Sequence, residues 1–137
     1  MARVEIAARH HLDPLMQGQL DGLCSLYAII NAFRLACAET APFTRRGSKE
    51  LFALGLAFLA RKGNLQNDAA QGLRRRRRQA LAHHLAEAVN LPDWQIAVEQ
   101  PEKEERGELE EVFRWITASL NQNKPVLIPL MGALNHL

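Results

Sequence analysis

Apolar residues at helical spacing between Leu23 and Phe33 constrain the fold of this chain more than any other feature. Leu23, Leu26, Tyr27, Ile29, Ile30 and Phe33 fall on one stripe, and a stripe of that width has to be buried against other elements. The spacing predicts a helix from Cys24 to about Cys37, with Pro42 marking its end region. A chain of 137 residues, 47% hydrophobic, can bury one modest core, so residues 1–137 read as a single domain. Only 6% of the residues are aromatic, so Leu, Ala, Ile and Val must fill that core, and a Leu- and Ala-rich chain favours helices.

Further along, Ser48 is the expected cap of a second helix that carries Leu51, Leu54, Phe58 and Leu59 and stops near Gly63 and Asn64. A third helix is expected from about Ala70 to Val89, and a fourth through Leu109, Val112, Phe113, Ile116 and Leu120, closing at 121–123. Residues 94–99 alternate in the manner of a strand, residues 125–131 form a second strand-like run, and residues 3–7 are a short third candidate. The longest uncharged apolar stretch, residues 51–60, is too short to cross a bilayer, and no secretory signal opens the chain. The expectation is a soluble cytoplasmic protein with no membrane contact.

Cys24 stands where a loop containing Asp21 and Gly22 becomes the first helix. Unpaired N–H groups and the positive end of the dipole at a helix start favour a thiolate there. A thiolate nucleophile needs a base, and His136, just after the strand-like 125–131 run, is the candidate. Cys37 lies thirteen positions from Cys24 on the same expected helix, too far for a disulfide, and reads as a core thiol.

The segment Gly22-Leu23-Cys24-Ser25-Leu26-Tyr27-Ala28, the upstream Gln17 and Gln19, and the late Asn135-His136 resemble the papain-like cysteine peptidase superfamily. Bacterial double-glycine leader peptidases are the nearest in flavour, and ovarian-tumour-type deubiquitinases come next, through Asp21-Gly22-Leu23-Cys24. The resemblance covers the first third of the chain and its last dozen residues. It implies an α+β fold: a helical lobe over about 20–90, with Cys24 at a helix N-terminus, packed on a small antiparallel sheet of 94–99, 125–131 and the terminal residues. It implies a cysteine protease-like hydrolase or acyltransferase acting on a peptide or protein substrate without a cofactor. Cys24 would be the nucleophile, His136 the general base, and Gln17 or Gln19 the side-chain donor of the oxyanion hole. The residue that orients the histidine would lie beyond Leu137, so the domain reads as lacking its C-terminal strands.

Charge supports two rival readings. Between residues 45 and 78, Arg45, Arg46, Lys49, Arg61, Lys62 and the run Arg74, Arg75, Arg76, Arg77 and Arg78 face only Glu50 and Asp68, whereas residues 87–111 hold nine acids against Lys103 and Arg106. Such faces suit an inactive interaction module of the same fold that assembles with a partner or with its own copies. Alternatively, the arginine run binds nucleic acid, although few aromatics are near for base stacking and no known nucleic-acid module is recognisable. Five consecutive helical arginines span more than one turn, so at least one is expected near the buried side. The pairs His10-His11 and His83-His84 lack metal-ligand spacing, and no metal is expected.

Overall fold

The structure, a computed structural model, describes residues 23–62, 65–89, 91, 93, 95–102 and 106–128. Within them the chain forms α1 (Cys24–Ala36), α2 (Arg45–Lys62), α3 (Leu65–Gln71), α4 (Arg75–Ala88) and α5 (Leu109–Asn121). Helices α1, α2 and α4 pack on one another in all three pairings, and α3 packs on α2.

The α1 stripe makes the centre of this core. Leu26, Ile29 and Ile30 of α1 are fully buried, against Leu59 of α2 and Leu81 and Leu85 of α4. Each such side chain contributes about 1.5–3 kcal/mol by leaving water. Tyr27 and Phe52 meet at the edge of the α1–α2 contact with ring centroids 5.1 Å apart, and Phe58 stacks on His84 at 4.5 Å, joining α2 to α4.

Glycine allows the closest approach of α1 and α2. A Cβ placed on Gly55 would stand 2.5 Å from Leu26 Cδ1 and 3.3 Å from its Cδ2, and Leu26, fully buried in a close-packed core, must shift to admit it. A Gly55→Ala change therefore sets a helix-propensity gain of about 1 kcal/mol against an overpacking cost of about 1–3 kcal/mol. The expected outcome is a lower melting temperature in the wild-type background and a smaller loss, or a gain, beside Leu26→Ala. Thermal melts of the double-mutant cycle measure that coupling.

Two helix boundaries differ from the sequence expectation. Ser48 is not the cap of α2. It is buried in the second turn with Oγ donating to the Thr44 carbonyl at 3.1 Å, while Thr44 Oγ1 accepts from the Gly47 N–H at 3.0 Å and does the capping. The helix expected over 70–89 begins only at Arg75 as α4, and residues 70 and 71 instead end α3, an unexpected helix from Leu65, because Gly72 adopts φ 79° and Arg74 is extended at ψ 157°. Gly63 and Asn64, the expected stop of α2, lie outside the described residues. At the end of α5, Asn123 takes φ 58°, its N–H bonds to the Leu120 carbonyl, and the Lys124 N–H bonds to the Ser119 carbonyl. That pair of bonds is a Schellman stop, and it places the end of α5 where the asparagines suggested.

The α+β, papain-like fold is corrected: the described residues are helical and contain no strand. Residues 95–100, where the alternation predicts a strand, form neither strand nor helix. Ile96 and Val98 lie against the helical core, their neighbours face water, and Gln79 on α4 donates to the Gln100 side chain at 2.9 Å. The period of two thus records a segment with one side laid over helices, not a strand in a sheet. Residues 124–128 likewise form no strand, and Pro125 among them has no N–H to give a ladder. Residues 3–7, 94, 129–131 and the terminal residues lie outside the described set. No described helix is long and apolar enough to cross a membrane.

Candidate anion-binding site at the start of α4

The arginine run falls on the N-terminal turn of α4, and its members divide by what holds them. Arg74 is the N-cap residue, with its carbonyl accepting the first helical bond from the Arg78 N–H at 2.9 Å. Arg77 turns inward. Its Nε donates to Asp68 Oδ1 at 3.0 Å, its Nη2 pairs with Asp68 Oδ2, and Nη2 also donates to the Leu59 carbonyl at 3.2 Å. Asp68 is 4% exposed. A bidentate fork on a buried carboxylate is the strongest form of this interaction. The third bond anchors the same guanidinium to a backbone carbonyl in the last turn of α2. One guanidinium therefore ties α2, α3 and α4 together. Arg78 reaches back toward the Leu73 carbonyl at 3.4 Å.

Arg74, Arg75 and Arg76 remain exposed, with no ion pair among the described residues. The first turn of α4 holds no acid, and no side chain caps it. Their charge thus sits at the positive end of the helix, where the dipole disfavours cations. Arg61, exposed on α2, lies two residues beyond the carbonyl that Arg77 holds and adds to the same end of the bundle. Arg46 of α2, by contrast, is satisfied by Glu50 at 3.0 Å.

The expected nucleophile has part of its predicted setting. Cys24 is the first residue of α1 and is exposed, with Leu23 as N-cap residue. Gln17, Gln19 and His136 lie outside the described residues, as do Asp21, Gly22 and His10-His11. Cys37 is fully buried just past the end of α1, and burial pushes its thiol up from the ordinary range. A native-state thiol titration is accordingly expected to modify Cys24 alone, and the second equivalent to appear only on unfolding. Rapid reaction of both thiols in the folded protein would contradict the buried placement of Cys37. Of the paired histidines on α4, His83 is exposed and His84 is stacked on Phe58. Among the described residues no three His, Cys, Asp or Glu side chains converge as metal ligands.

Asp68, which positions the arginine run, is the residue that sequence reasoning passed over. Its signal was present as one of only two acids in an otherwise basic stretch, but its partner sits nine residues away on another helix. Comparison with protein families, curated proteins and solved structures finds no match to this chain.

Proposed function

We propose that this chain binds the phosphate backbone of nucleic acid through Arg74, Arg75 and Arg76, with no base-specific readout. One observation carries the reading: three exposed arginines, without acidic partners among the described residues, crowd a helix turn whose dipole opposes them. Fold stability gains nothing from cations in that place, whereas an anion there meets both the guanidiniums and the open N–H groups of the first turn. Successive residues on a helix point about 100° apart, so the three side chains fan outward and suit several phosphates better than one. Guanidinium binds phosphate in a planar, bidentate way that an ammonium does not.

The acidic 99–111 face of another copy is the competing occupant, and local pairing disfavours it. Glu99 is held by Lys124 at 2.9 Å, and Glu111 by Arg114 at 2.6 Å with Glu110 beside it at 3.8 Å. These acids already have cations. The test is fluorescence anisotropy of a labelled oligonucleotide titrated with the full chain at low ionic strength. Saturable binding that weakens as salt rises is expected, and an anisotropy that never changes overturns the proposal.

A further inference from the structure

Helix α5 is the helix that the core does not use. Neither the buried cluster nor the apolar side chains that flank it include a residue of α5. Yet Leu109, Phe113, Ile116 and Leu120 repeat at spacings of four, three and four, the period of a two-helix seam. Leu109 is 71% exposed and Phe113 59%. The charged residues Glu110, Glu111 and Arg114 stand off this stripe and pair among themselves. Leu109 and Phe113, left in water in line with the half-buried Ile116 and Leu120, mark an interaction surface.

We propose that the α5 stripe is a self-association surface, on which α5 of a second copy of this chain packs antiparallel. The inference is independent of the nucleic-acid reading. Two features select this occupant and this direction. The stripe is nearly symmetric about its middle, so a twofold axis there sets Leu109 against the partner's Leu120 and Phe113 against the partner's Ile116, as an isologous contact requires. Charge supplies the direction. Glu108, Glu110 and Glu111 load the start of α5, whereas its end carries Asn121, Gln122, Asn123 and Lys124 and no acid. A parallel pair would set the two acidic ends side by side; an antiparallel pair keeps them at opposite ends of the seam and opposes the helix dipoles.

The size of the seam bounds its strength. A helix of 13 residues is about 20 Å long, and its stripe buries less than the ~800 Å² per partner of a stable complex. The dimer is therefore weak and depends on concentration. Sedimentation of the full chain over a hundredfold concentration range tests this. The average mass is expected to rise from 15.4 kDa toward twice that value, and to stay at one chain for Phe113→Glu. Because Phe113 is exposed, that variant is expected to keep its helical circular dichroism. Direction is read by oxidative cross-linking in a Cys24→Ser background, where a mixture of L109C and L120C chains should form the mixed disulfide in excess over L109C with itself. One chain mass at every concentration overturns the proposal, including the case in which another segment of this chain covers α5. So does a dimer that Phe113→Glu leaves intact, or a preference of L109C for itself.

Discussion

Asp68→Ala is expected to cost about 2–3 kcal/mol of stability. Removing one member of a buried ion pair costs about 3–5 kcal/mol, because the other charge is left without compensation. Here Arg77 keeps 24% of its side chain in water and retains the Leu59 carbonyl, which lowers the figure. For a domain of this size the loss corresponds to a melting temperature lower by roughly 10 °C. The loss also has a location, since the contacts broken join α3 to α4. Replacing both partners at once, Asp68→Leu with Arg77→Met, removes the stranded charge and is expected to recover most of the stability, as hydrophobic substitutes for buried pairs commonly do. Thermal melts of the single and double variants read this directly. Equal losses in both would mean that the side-chain volumes, not the ion pair, fix α4.

The second large effect is opposite in sign for stability and binding. Changing Arg74, Arg75 and Arg76 together to Gln removes three exposed cations from the positive end of α4, so stability is expected to hold or rise by a few tenths of a kcal/mol per residue. Nucleic-acid affinity is expected to fall roughly a hundredfold, on about 1 kcal/mol for each lost phosphate contact. Arg77 stays in place and keeps the fold. A structural role for the three arginines predicts the reverse pattern, with stability lost along with any binding. Paired melts and titrations of the one variant separate the two.

Helices α1 and α5 were legible in the sequence because each carries its own evidence: a stripe of apolar residues at period 3.6, and a stop in which Asn123 takes the left-handed conformation. The break between α3 and α4 was hidden because Leu73 continues the apolar spacing across Gly72, and only the φ of 79° at that glycine reveals the turn. The sheet was misread for a related reason. Alternation at Ile96 and Val98 states that one side of the segment is buried, but not what buries it; helices do so here. At the site, the arginine run was plain from composition, and geometry required one member to turn inward. Which member does so depends on Asp68, whose place beside Arg77 exists only after α3 and α4 pack on α2. Thr44, the working cap of α2, was overlooked in favour of Ser48, since both precede the same apolar stripe and only the hydrogen bonds distinguish them.

The central claim, phosphate binding by three arginines, is tested most directly by the salt dependence of duplex DNA affinity in the wild type and in the Arg74→Gln, Arg75→Gln, Arg76→Gln variant. Each phosphate contact contributes about 0.9 to the slope of log affinity against log salt concentration. The account predicts a slope shallower by about 2–3 in the variant. An unchanged slope, or a wild-type chain that does not bind at low salt, would contradict it.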